Sequence, residues 1–170
     1  SSIKDDRQSY KVTDKAYGVS RTRSVPEEIA ALAEIRLARQ AVLTRPSGPL
    51  KVWAVISEAV LHQRFAVRPD TMRDQLRRLR EVSDLPNITL QIMPLDAAPH
   101  PGSAGGFSLV GFPDAMPDVV LLENLIGASY VENVAEVKTF ADAFNRIVAT
   151  ALSVDDSVAL ITRMEEGNKP

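Results

Sequence analysis

Two apolar runs in this chain each end on a carboxylate. Val52-Trp53-Ala54-Val55-Ile56 leads into Ser57-Glu58, and Val119-Val120-Leu121-Leu122 leads into Glu123-Asn124. Continuous apolar runs of this length read as strands buried on both faces. An acid at the end of such a strand stands at the rim of a sheet, where open α/β folds place their ligand crevice. Between the runs lies His100-Pro101-Gly102-Ser103-Ala104-Gly105-Gly106, which reads as a flexible loop. In one reading Glu58 and Glu123 form a general acid/base pair, with His100 as proton shuttle or ligand contact. In the other, each acid is solvated, caps a helix or pairs with an arginine, because an acid is favoured at a helix start in any case.

Other chemistries are narrowed by composition. The chain has no cysteine, which excludes thiolate nucleophiles, disulfides and cysteine-based zinc sites. His62 and His100 are its two histidines, too few for a multi-histidine metal site, and His62 reads as a surface residue. No metal and no cofactor is expected. The His100–Gly106 segment lacks the Gly-Lys-Ser/Thr ending of a phosphate loop, and a strand follows it where such a loop needs a helix. Arg73, Arg77, Arg78 and Arg80 are interspersed with Asp74, Glu81 and Asp84, which reads as a solvated helix face rather than a phosphate site. Gly-x-Ser-x-Gly is absent. A net charge of −2 removes the simplest case for nucleic-acid binding by this chain itself. No apolar run approaches the roughly 20 residues of a membrane span. No signal peptide is visible, so a cytoplasmic location and no membrane contact are expected.

The elements that must position these groups follow from patterning. Ser1 to Arg23 reads as a polar arm without helical or strand period. Ser24-Val25-Pro26-Glu27 announces a helix running to about Thr44, where Arg45-Pro46-Ser47-Gly48-Pro49 stops it. A strand over Lys51–Ser57 is followed by a helical turn near Glu58–Gln63. A second helix starts after Asp70 with Met72, Leu76, Leu79 and Val82 on one face. Ile88–Met93, Phe107–Phe112 and Asp118–Leu125 read as further strands. Asn133 opens the best-patterned helix, with Val137, Phe140, Phe144, Ile147, Val148, Ala151 and Leu152 as its apolar stripe. Ser153 opens the last. With 170 residues, this order predicts one α/β domain over residues 24–166, a mixed sheet of about four strands flanked by helices, and a short tail over 167–170.

Glu34-Ile35-Arg36-Leu37-Ala38-Arg39-Gln40, Trp53-Ala54-Val55-Ile56-Ser57-Glu58-Ala59-Val60-Leu61 and Pro86-Asn87-Ile88-Thr89-Leu90-Gln91-Ile92-Met93-Pro94 carry a family resemblance. So do Ala98-Pro99-His100-Pro101-Gly102, Gly106-Phe107-Ser108-Leu109, Asp118-Val119-Val120-Leu121-Leu122-Glu123 and Gly127-Ala128-Ser129-Tyr130-Val131-Glu132-Asn133. Over about Thr13 to Met164 the chain resembles the C-terminal domain of unknown function of actinobacterial Xre-type helix-turn-helix, antitoxin-like regulators. The element order also looks like a phospholipase D-like half-domain, but the His-x-Lys signature of the active enzymes is missing. The family's upstream segment and helix-turn-helix are not in this sequence, so DNA contact is expected only through a preceding domain.

The resemblance implies a sensing module that binds a small-molecule effector or a small partner protein. Its pocket or interface would use Glu58, Gln91, His100, Glu123 and Tyr130, with Trp53 and Phe107 as apolar walls. A homodimer is compatible with that role. The alternative is a freestanding cofactor-independent enzyme, a cyclase or isomerase of natural-product biosynthesis, with Glu58 or Glu123 as acid/base and His100 assisting.

Overall fold

The computed structural model describes residues 9–13, 38, 40–65, 70–112, 116–124 and 126–167. Their elements are β1 (Ser9–Thr13), β2 (Lys51–Ser57), α1 (Glu58–Leu61), α2 (Thr71–Ser83), β3 (Ile88–Met93), β4 (Phe107–Gly111), β5 (Val119–Asn124), β6 (Gly127–Val131), α3 (Val134–Thr150) and α4 (Val154–Gly167). Two 3-10 turns, Ala41–Leu43 and Pro101–Ala104, complete the set. The strands form one mixed sheet in the order β3-β2-β1-β4-β5-β6. β1, β2 and β3 run parallel, and β4, β5 and β6 continue the sheet antiparallel. The chain is a single α/β domain with a mixed sheet flanked by helices.

Two strands exceed the expected four. β1 lies inside the segment read as a polar arm, yet it pairs with β2 on one side and β4 on the other. Ser-Tyr-Lys-Val-Thr is short and mostly polar, which hides it among polar neighbours. β6 was also passed over. The expected helix from Ser24 lies largely outside the described residues, and its described end is the turn Ala41–Leu43.

Each face of the sheet has its own core. α3 lies on one face, where Val137, Phe144 and Ile147 meet Val55, Met93, Phe107, Leu109 and Val120. α2 and α4 lie on the other, where Met72, Leu76 and Ile161 meet Leu61, Leu90 and Ile92. Strand alternation explains the division: Val55 and Met93 point to α3, while Ala54, Ile56, Leu90 and Ile92 point to the α2–α4 layer. Full burial of an aromatic or branched aliphatic side chain is worth about 1.5–3 kcal/mol, so these two clusters dominate the stability.

β3 is an outer strand, and the turn between α3 and α4 closes its free edge. Leu152 N–H donates to the Ile92 carbonyl (2.9 Å), and the buried Ser157 hydroxyl accepts from Ile92 N–H (2.8 Å). This fixes where α3 crosses the strand ends, and so fixes one wall of the site.

Candidate functional site

A cleft of about 610 Å³ opens at the carboxyl ends of β2 and β3. Val55 and Ser57 of β2 and Met93 of β3 form its floor, and Ile147 of α3 one wall. The segment from Pro94 to Gly106 supplies the rest through Leu95, Ala97, Ala98, Pro99, His100, Gly102 and Ser103. The side chains around it are mostly apolar, with Ser57, His100 and Ser103 as the polar groups; no acid, lysine or arginine is among the described residues that line it. A parallel strand pair splays its carboxyl ends toward such a crevice, which is the position the sequence suggested for a ligand.

The loop expected to be flexible is a defined wall. Pro101–Ala104 forms a 3-10 turn with Pro101 in its first turn, and Gly105 leaves it at φ 138°, a conformation that favours glycine. Gly102 permits a close approach. A methyl group there would meet His100 Nδ1 at 2.9 Å and the Ile147 side chain at 3.5 Å. His100 Nδ1 is thus buried against the turn without a hydrogen-bond partner among the described residues.

Glu58 stands at the margin. Its side chain opens α1, and Oε2 accepts a hydrogen bond from Leu95 N–H (3.0 Å). Oε1 lies 3.3 Å from His62 Nε2. Ser57 caps the same short helix by accepting from Ala59 N–H (3.3 Å). Glu58 therefore holds the start of the cleft loop against the end of β2.

Glu123 is elsewhere. The strand register sets Val55, Thr13 and Phe107 in one row, and Ser108 faces Leu121 across the next pair. Extending that row puts Glu123 level with Ile56 but three strand spacings away, about 14 Å. Leu122 packs into the α3 core, so Glu123, the next residue, belongs to the opposite face. Glu58 and Glu123 do not meet at one reacting atom, so the paired acid/base reading is corrected here.

The other expected site residues are buried, partly exposed on the α3 face (Trp53, 37 %) or at the sheet edge. Gln91 is buried: its side-chain oxygen accepts from the Trp53 indole N–H (2.8 Å), and its amide donates to the Leu152 carbonyl (2.8 Å). Trp53 stacks edge-on against Phe144, with ring centroids 5.8 Å apart. Phe107 is buried against Phe140 at 5.0 Å. These three brace α3 on the sheet and do not line the cleft. Tyr130 is exposed on β6, at the far edge. Among the residues singled out from sequence, His100 alone lines the cleft. Sequence reasoning passed over Ser57, Met93, Leu95 and Ile147, although Ser57 and Met93 are the final residues of two strands it located.

The family described as Domain of unknown function (DUF5753) matches residues 13–163. The chain belongs to the DUF5753 family. The matched span contains every residue that lines the cleft and the whole of β6. No match to the chain is found among curated proteins or among solved structures. Among the described residues, no three metal-ligating side chains cluster, and no helix is long and apolar enough to cross a membrane.

Proposed function

We propose that this DUF5753 domain is a sensing module that binds an uncharged, largely apolar small molecule in the cleft at the ends of β2 and β3. The carrying observation is the cleft's chemistry: mostly apolar side chains, three able to hydrogen-bond, and no acid, lysine or arginine among the described residues that line it. Ligand sites of this kind take affinity from apolar burial and orientation from a few placed polar groups. The sequence resemblance to the C-terminal domains of Xre-type regulators supports a place in transcriptional control, with DNA contact made by a preceding domain. Occupancy of the cleft would then be transmitted through the Pro94–Gly106 wall and α3, both of which line it.

The test is binding of the uncharged apolar fluorophore N-phenyl-1-naphthylamine. Ala98 lines the cleft yet is exposed, so Ala98→Trp fills the space without disturbing the core. Saturable fluorescence enhancement in the parent chain, lost in Ala98→Trp at unchanged circular dichroism, is the expected result. Equal binding by both would place the apolar site elsewhere and remove the proposal's basis.

A further inference from the structure

The two edges of the sheet are finished differently. β3 is closed at Ile92 by Leu152 of the α3–α4 turn and Ser157 of α4. β6 pairs with β5 alone, and no described residue closes its outer side. Alternate residues of a strand direct their N–H and C=O groups to each neighbour, so half of those on β6 have no strand partner among the described residues. Edge strands of monomers are usually blunted by charge, proline or a bulge. Gly127-Ala128-Ser129-Tyr130-Val131 has neither charge nor proline. Residues Gly127 to Tyr130 are all exposed, and Ile126 (88 % exposed) and Val134 (76 %) flank the strand.

We propose that β6 pairs antiparallel with β6 of a second copy across a two-fold axis, joining two six-stranded sheets into one. The strand's own sequence selects this occupant. The register that pairs its full length sets Ser129 opposite Ser129. Ala128 then faces the second copy's Tyr130, and Gly127 faces its Val131, so small residues oppose large ones. One step further, Ile126 of each copy faces Glu132 of the other. The two Glu132 residues stay six residues apart along the ladder, about 20 Å, well beyond a Debye length of about 8 Å. No like charges meet. Ala128 lies beside Glu123 in its own sheet, so the second copy's Tyr130 falls in the same row as Glu123. The pairing thus gives Glu123 and Tyr130 an interfacial place, away from the cleft.

The chain has no cysteine, so Ser129→Cys introduces a single thiol. Residues facing each other in an antiparallel pair have Cα atoms about 4.5–5.5 Å apart, within the span of a disulfide. The parent chain is expected to sediment at twice its 18.6 kDa mass. Ser129→Cys should oxidise readily to a covalent dimer, and Tyr130→Cys, whose facing residue is Ala128, much more slowly. Ala128→Lys places a charge on the bare edge without touching the core, and should yield a monomer with unchanged circular dichroism. A parent chain that stays monomeric at every attainable concentration would overturn the pairing, even if another protein's strand occupied the edge. So would equal crosslinking of the two cysteine variants, or a dimer that survives Ala128→Lys.

Discussion

Gln91 shows how one buried polar residue can look like a site and be a joint. It sits in a strand of otherwise apolar or half-buried residues, which is why it stands out in sequence. Its two hydrogen bonds go to the Trp53 indole and to the Leu152 carbonyl, 61 residues further along the chain. Replacing it by Leu keeps the volume but leaves a part-buried N–H and a part-buried carbonyl without this partner, at a cost of at most about 1–3 kcal/mol each. We expect Gln91→Leu to lower the urea midpoint by the equivalent of about 2 kcal/mol, the lost bonds being partly offset by the added apolar contact. Trp53, the single tryptophan, reports both unfolding and the altered indole environment by fluorescence. Unchanged stability would mean that the indole and amide are not joined in solution. His100 was legible as a site residue because a histidine in a Pro/Gly loop has few core duties. Glu123 was misplaced because the face a strand residue presents depends on register, and a one-residue step reverses it; Trp53 and Phe107 share the face of the cleft-lining Val55 but are taken up by ring contacts with Phe144 and Phe140.

Elements with a continuous apolar or periodic pattern were legible, and those without one were not. Lys51–Ser57 and Ile88–Met93 announce themselves by continuous apolar or alternating runs, and both are found with those bounds. β1 and β6 carry no such signal: one is short and polar in sequence, the other is an exposed edge. α3 was the plainest helix, and its start can be weighed. Asn133 Oδ1 accepts from Ala135 N–H (3.0 Å) and Glu136 N–H (3.2 Å), satisfying two of the donors that a helix leaves open. Asn133→Ala should therefore cost about 1 kcal/mol of stability, while Asn133→Asp should retain most of it. A thermal melt of the two variants checks this, and equal loss in both would show that the side-chain oxygen is not what holds the turn. The cleft itself was invisible to periodicity, because its wall is a loop whose shape depends on Gly102 packing against a side chain of α3.

At the scale of the whole molecule, the α2–α4 layer is joined at its surface by an ion pair between residues 85 positions apart. Arg80 Nε donates to Glu165 Oε2 (2.9 Å), and Arg77 Nε lies 3.5 Å from Oε1. The hydrogen bond from Arg80 is the main influence on Glu165. With the charges of Arg80 and Arg77, it outweighs partial burial and holds the carboxyl below its ordinary value of 4.5. The same bond raises the Arg80 guanidinium. Because the folded chain binds this proton less tightly than the unfolded chain, folding is favoured wherever the carboxyl is ionised. The contribution is complete above pH 4.5 and is lost as pH falls through the lower folded-state value. Glu165→Gln should lower the urea midpoint near neutrality, flatten its dependence on pH across that acid window, and converge on the parent chain at the acid end. Both side chains retain contact with solvent, so added salt should weaken the difference. If the two chains instead ran parallel at every pH, the loss would come from packing of the Glu165 side chain, and α2 and α4 would be held by their apolar contacts around Leu76 and Ile161 alone.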